Sequence, residues 1–229
     1  MKFDILTIFP EMLDAYFNES ILGRASQKKL ISIKTHNIRD FTKDKHRKVD
    51  DRPFGGGAGM VMLFEPIAAA VTAARSKKYE LRSKNGKKRK PKARVILFST
   101  RGKVFNDKEA KRLAKYDQLI FICGRYEGVD ERVADVIADE ELSIGDFVLT
   151  GGEAAAMVAV DAVARKIPGV LGKAESLEEV QGSYPTYSRP EVIEYKKPGN
   201  KHTKKLRVPK VLLSGDHKKI NDWRRGSSS

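Results

Sequence analysis

One cysteine, one tryptophan and no long apolar run set the first limits on this chain of 229 residues. With Cys123 alone there is no disulfide framework, which excludes a disulfide-stapled secreted scaffold and makes a reducing cytoplasm the expected home. No apolar stretch approaches the ~18 residues of a membrane-spanning helix, so a helical membrane protein is excluded and no membrane partner is expected. The N-terminus, Met1-Lys2-Phe3-Asp4-Ile5-Leu6, places an acid early and lacks the apolar stretch and cleavage site of a signal peptide. The histidines His36, His46, His202 and His217 show no zinc-ligand spacing with each other or with Cys123, so no metal ligands are assigned.

Acid is also scarce where base is abundant. The net charge is +15, and residues 76–94 hold ten Lys/Arg against one Glu. Residues 195–210 hold seven Lys/Arg and no acid, so these two runs together exceed the net charge and leave the remaining chain at −1. Concentrated positive charge on a nearly neutral body suits a polyanion, because each phosphate neutralised releases counterions. Neither run has a clear amphipathic apolar face, which favours nucleic acid over an anionic membrane surface.

The hydrophobic pattern predicts an α/β chain. Lys2–Phe9 reads as a buried strand closed by Pro10, followed by a helical stretch to about Lys29 and a second strand over Ile31–Ile38. Glu65-Pro66 opens an alanine-rich helix to about Arg75. Strands are expected at Arg94–Ser99 and Gln118–Cys123, with helices at Asp107–Lys115, Asp130–Val136 and Gly152–Lys166. Ile144–Leu149 is short and apolar. This alternation argues for a parallel sheet. Ligands of such sheets bind beyond the carboxyl ends of the strands. Those ends are read at Ser99-Thr100-Arg101-Gly102, Cys123-Gly124-Arg125-Tyr126-Glu127-Gly128 and Leu149-Thr150-Gly151-Gly152. A polar linker follows, then a shorter C-terminal part with strand-like Val208–Leu213 and helix-like Asp216–Arg225. The boundaries expected are 1–172 for the main domain, 173–189 for a flexible linker, 190–225 for a short C-terminal region and 226–229 for a disordered tail.

The segment Phe54-Gly55-Gly56-Gly57-Ala58-Gly59 lacks the Gly-Lys-Ser/Thr of a nucleotide-triphosphate loop and follows no clear strand. Four glycines in five residues imply close backbone approach to a ligand, or several positive φ angles. Cys123 ends an apolar strand and reads as a core residue rather than a nucleophile.

Several blocks carry a family resemblance. Asp50-Asp51-Arg52-Pro53-Phe54-Gly55-Gly56-Gly57, Cys123-Gly124-Arg125-Tyr126-Glu127-Gly128-Val129-Asp130-Glu131-Arg132 and Ser143-Ile144-Gly145-Asp146-Phe147-Val148-Leu149 resemble the bacterial tRNA (guanine-37-N1)-methyltransferases, the TrmD family. So do Gly151-Gly152-Glu153, Ile167-Pro168-Gly169-Val170-Leu171-Gly172, Tyr187-Ser188-Arg189-Pro190-Glu191-Val192 and Val211-Leu212-Leu213-Ser214-Gly215, in family order over most of residues 1–225. The resemblance implies a SPOUT-type α/β sheet with a C-terminal trefoil knot, a small and shortened C-terminal domain, and a homodimer whose active sites draw on both subunits. It implies methyl transfer from S-adenosylmethionine to N1 of guanine 37 in tRNA. A different SPOUT RNA methyltransferase, or a non-catalytic RNA-binding relative, is the alternative.

Carried over by motif, the donor contacts fall on Leu97, Phe98, Ser99, Thr100, Gly124, Tyr126, Glu127, Gly128, Ile144, Gly145, Asp146, Phe147, Val148, Leu149, Gly151 and Gly152. Asp50, Arg52, Gly57 and Gly59 would hold the target guanine and its neighbour. Arg165 would stabilise charge developing on the guanine ring. The family's general base is an Asp in the linker, and counting without gaps from Gly172 puts that position on Val180, which accepts no proton. A gap would bring Glu179 or Glu178 into place, and Glu179 is the residue assigned. The resemblance also suggests a Mg²⁺ dependence, although no metal-ligand cluster is legible. The chain stops soon after Trp223-Arg224-Arg225, short of the family's C-terminal helical region, and the basic runs are expected to compensate by contacting phosphates.

Overall fold

A computed structural model describes residues 1–75, 81–82, 88–171, 184–200 and 202–226. The chain divides into two compact units, Met1–Leu171 and Gly172–Ser229.

The first unit is built on a five-stranded sheet in the order β2-β1-β8-β7-β9, every neighbouring pair parallel. Its strands are β1 (Lys2–Thr7), β2 (Ser32–Asn37), β7 (Ala93–Val104), β8 (Gln118–Ile122) and β9 (Glu140–Ser143). Helices α1 (Glu11–Phe17), α2 (Ser20–Gln27), α4 (Asp107–Leu113) and α6 (Glu153–Ala164) cover one face, and α3 (Phe64–Ala74) and α5 (Glu131–Val136) the other. The reason is visible in the strand residues, whose side chains alternate between faces. Phe3, Ile5, Leu119, Phe121 and Ile96 enter one core, with Phe121 stacked 5.3 Å from Phe98 and 6.4 Å from Phe3. Leu6, Ile120, Ile122, Val95 and Leu97 enter the other. Strands buried on both faces read as continuous apolar runs, as in Gln118–Ile122 (QLIFI).

The first unit departs from the sequence reading in four places. The expected helix before Lys29 is two helices, because Ser20 takes a positive φ of 52° and the chain turns at Asn18–Glu19. Residues 99–102 are not a loop after a strand. They lie within the longer β7, whose pairing with β9 breaks between Phe98 and Lys103 and resumes to Val104. The third strand ends at Ser143, so 144–152 is connecting chain. Its Glu140-Glu141 start hides it from hydrophobic pattern, and Glu140 is neutralised by Arg94 at 2.9 Å and Arg112 at 2.6 Å. The glycine segment does follow a strand: β3 (Asp50–Asp51) pairs antiparallel with β4 (Val61–Met62), making residues 52–60 the tip of a hairpin. A second short antiparallel pair, β5 (Leu81–Arg82) with β6 (Lys88–Arg89), falls in the basic run.

In the second unit, β10 (Val192–Tyr195) pairs antiparallel with β11 (Lys204–Arg207). The strand expected over Val208–Leu213 is instead a single helical turn, α7 (Lys210–Leu213), because Pro209 has no N–H for a ladder and starts a turn. In α8 (His217–Gly226) the first turn is capped by Asp216, which accepts from the N–H groups of Lys218 and Lys219 at 3.1 Å. The Tyr187 and Trp223 rings lie 6.5 Å apart, and Arg224 stands 4.8 Å over the Tyr184 ring. Among the described residues, no helix is long and apolar enough to cross a membrane.

One polar cluster is buried in the first unit. Asp4, fully buried, accepts from His36 Nε2 at 2.7 Å and Gln118 Nε2 at 2.7 Å, and pairs with Lys2 Nζ at 3.0 Å. Gln118 also donates to the Ala74 carbonyl at 2.9 Å, so the cluster joins three strands to the end of α3. Burial opposes the Asp4 charge, but the hydrogen bonds from His36, Gln118 and Lys2 outweigh it and hold the carboxyl below its ordinary value. A depressed folded pKa gives stability that is present above the unfolded value of ~3.9 and is lost as pH falls through the folded one. Asp4→Asn is expected to cost about 2–4 kcal/mol at neutral pH. The gap to wild type should narrow below about pH 4. Thermal denaturation of both proteins across pH checks this, and a gap independent of pH rules Asp4 out as the titrating group.

Candidate functional site

Because the sheet is parallel, the carboxyl ends of β1, β7, β8 and β9 open on one edge, and a cavity of about 470 Å³ lies there. It is lined by residues 97–101, 124–129, Glu131, 141–145, 147–152 and Ala155. Of the sixteen positions assigned from sequence to the donor, Asp146 alone is absent from this wall. Arg101, Arg125, Glu131, Glu141 and Ser143 are wall residues that the sequence reading did not assign. Two of them, Arg101 and Arg125, stood inside the strand-end segments but lacked a motif role.

The walls are fixed by one buried carboxylate. Glu153, 1% exposed in the first turn of α6, accepts from Thr7 Oγ1 at 2.6 Å and from Arg125 Nε at 2.9 Å. Thr7 in turn accepts from the Phe9 N–H at 2.9 Å, and Arg125 Nη1 donates to the Thr150 carbonyl at 3.1 Å. The guanidinium also sits 4.9 Å over the Phe9 ring. Three segments leaving β1, leaving β8 and entering α6 therefore share one ion. Gly152 closes the joint: its N–H donates to the Gly124 carbonyl at 3.0 Å, and a Cβ there would stand 2.7 Å from Cys123 Cα. Only glycine allows that approach. Cys123 beneath it is wholly buried, and burial pushes its thiol well above the usual range.

Tyr126 is held at φ 61°, a left-handed conformation uncommon for a ring-bearing residue, and its hydroxyl accepts from Arg39 Nη2 at 3.4 Å. The cavity is acidic. Arg101 Nη2 donates to both carboxylate oxygens of Glu131 at 2.8 and 2.9 Å, and Arg125 is taken by Glu153, while Glu127 and Glu141 also face the space. Glu141 Oε2 is buried with no hydrogen-bond partner among the described residues, Arg101 Nη2 lying 3.9 Å away. An excess of carboxylate and one unused acceptor suit a cationic ligand carrying hydroxyl or amino donors.

The remaining assigned residues lie elsewhere. Asp50 and Arg52 stand at the base of the hairpin whose tip holds Gly57 and Gly59, and the hairpin runs along the cavity rim: the Glu127 N–H donates to the Met60 carbonyl, and the Met62 N–H to the Gly128 carbonyl, both at 3.0 Å. Arg165 caps the far end of α6 and is no part of the cavity wall. A helix of that length spans about 18 Å, which separates Arg165 from Gly152 within one chain. Glu179, with Glu178 and Val180, lies outside the described residues. Among the described residues, no group of three or more His, Cys, Asp or Glu is placed to hold a metal ion.

Glu153→Ala strands a guanidinium that is only 15% exposed, and the expected loss is about 3–5 kcal/mol of unfolding free energy. Arg125→Met in the same background should recover part of it, giving a strongly non-additive cycle in chemical denaturation. Additive losses would show that the pair is not coupled.

Known proteins resemble this chain in sequence and fold. The family model described as tRNA (Guanine-1)-methyltransferase TrmD matches residues 1–229. A tRNA (guanine-N(1)-)-methyltransferase of Geotalea uraniireducens is 52% identical, over 100% of this chain and 85% of that protein. The protein of the same name from Geobacter sulfurreducens is 50% identical, over 98% of this chain and 85% of its own length. The crystal structure of a tRNA (m1G37) methyltransferase from Aquifex aeolicus superposes with a TM-score of 0.75 at 37% identity, covering 97% of this chain and 87% of that one. With whole-chain identity and fold in agreement, this chain belongs to the tRNA (guanine-1)-methyltransferase family, TrmD.

Proposed function

We propose that the chain transfers a methyl group from S-adenosylmethionine to N1 of guanine 37 in tRNA, beside the anticodon. The observation that carries the reading is the acidic, backbone-lined cavity at the carboxyl ends of β7, β8 and β9, built from the residues that match the family's motifs. S-adenosylmethionine supplies a methyl already activated on a cationic sulfonium. The carboxylates of Glu127 and Glu141 suit that cation, and the irregular chain of residues 144–152 along the cavity suits an adenine edge and ribose. Residues 1–172 are assigned to donor binding and chemistry, 173–189 to the connection, and 190–225 to tRNA contact. The knot of the SPOUT class belongs to the first of these and would lie in the chain around the cavity.

The acceptor chemistry needs a proton removed. Guanine N1 carries a hydrogen and gains a lone pair for attack only when a base takes it. Glu179 is the assigned base and would hold that proton. Arg165 is the cation assigned to the negative charge that spreads to O6 as N1 loses its proton. Asp50, Arg52, Gly57 and Gly59, along the hairpin at the cavity rim, would position the guanine for in-line transfer.

The homodimer implied by the family resemblance is supported by the placement of Arg165. One chain separates this cation from its cavity by the length of α6, and a second chain is the natural source of the missing group. The surface supports an interface: Met12, Tyr16 and Val158 are each about half exposed on α1 and α6, with Phe9 beside them. Tyr16 is tied to Asp161 across these helices at 2.6 Å, its phenol pushed up to about 12 by that hydrogen bond.

Labelled S-adenosylmethionine should transfer methyl to unmodified tRNA carrying G at position 37 and not to the A37 variant, with Glu179→Gln losing at least about 10²-fold in rate. Binding of the donor without transfer to any tRNA would favour a non-catalytic RNA-binding relative. Glutamine at the lysines and arginines of either basic run, 76–94 or 195–210, should weaken tRNA binding and flatten its dependence on log salt by about 0.7–0.9 for each lost phosphate contact. An unchanged slope would remove that run from the RNA contact.

A further inference from the structure

Phe54 is the most exposed large hydrophobic side chain among the described residues, at 103% of its reference area. It sits near the tip of the hairpin formed by β3 and β4, followed by Gly55, Gly56 and Gly57 at φ of 87°, 79° and 114°, with Gly59 at 95°. A Cβ built on Gly55, Gly56 or Gly57 would meet nothing within 4 Å, so the tip projects into open space. Its stem is rigid by contrast. Val49 and Met62 are fully buried, the Leu63 N–H donates to the Val49 carbonyl at 2.8 Å, and Met62 bridges to Val129. A phenyl ring is thus presented on an adaptable tip from a fixed base, directly beside the cavity wall at Glu127 and Gly128.

The surroundings indicate what covers the ring. Arg52 is exposed two residues earlier, and Lys43, Lys45, Arg47 and Lys48 lie on the exposed segment leading into the hairpin, where Arg47 pairs with Asp40 and Lys48 with Asp51. An aromatic face among cations is the usual platform for single-stranded nucleic acid, where bases stack on rings and phosphates meet Lys and Arg. A guanine that reaches a cavity at the sheet edge must leave its own stack, which exposes the faces of its neighbours. We infer that Phe54 stacks on a base flanking the target guanine and takes the place that the guanine vacates. This rests on the methyl-transfer reading above and adds a residue that holds the unstacked anticodon loop.

The test compares Phe54→Leu, Phe54→Ala and Phe54→Trp in the full-length protein. Leucine keeps apolar bulk without a π-face, and tryptophan keeps the π-face. Loss of one base–ring stack corresponds to a rise of roughly 10- to 100-fold in tRNA Kd, expected for leucine and alanine alike, with tryptophan within about threefold of wild type. S-adenosylmethionine affinity and sedimentation should be unchanged in all three. With 2-aminopurine placed next to position 37, first on one side and then on the other, wild type should quench the stacked base while Phe54→Leu leaves it bright. Leucine equal to wild type, or tryptophan as damaging as alanine, would overturn the stacking role. So would a shift in sedimentation on substitution, which would place Phe54 between protein chains. If wild type methylates G37 while these results fail, only this inference falls; if wild type binds no tRNA, both readings fall.

Discussion

Everything at the sheet edge depends on the Glu153 carboxylate. It is a charge held out of water, which by itself is costly, and it persists because Thr7 and Arg125 supply two short hydrogen bonds. The helix N-terminus on which it sits adds a favourable partial charge. This arrangement does more than offset desolvation. Cavity walls made of irregular chain have few packing contacts of their own. Anchoring β1, the exit of β8 and the entrance of α6 to one ion fixes those walls from behind. The side facing the cavity then remains available for recognition.

The same logic explains what the sequence could and could not reveal. The strands β1 and β8 are buried on both faces and were legible with small errors at the ends, whereas β7 was legible only over its apolar start and runs on to Val104. β9 was not, because its acidic start is compensated by Arg94 and Arg112, and such ion pairing leaves no periodic trace. The hairpin carrying the glycines was missed because two-residue strands lie below any pattern. Pro209 followed by Val211, Leu212 and Leu213 looked extended from β-branched and apolar content, yet proline at a helix start favours a turn. Motif resemblance assigned 15 of the 24 wall residues, whereas Arg101 and Glu141 needed geometry to be found.

Charge is distributed with comparable economy. Around the cavity, acid predominates and the two arginines are engaged by carboxylates. The excess of base is carried in two short runs, of which the first begins where α3 ends. A cationic donor and a polyanionic acceptor make opposite demands on a protein surface, and separating the two populations of charge along the chain meets both.

The burial of Cys123 has a practical consequence. Its sulfur lies beneath Gly152 with no exposure, and its thiol is held in the unreactive protonated form. To a maleimide or a spin-label reagent the folded protein is therefore blank, although it is not cysteine-free. A thiol introduced anywhere on the surface becomes the sole reactive handle, without first mutating a core position, so each segment around the sheet edge can carry its own fluorophore or nitroxide in an otherwise native chain.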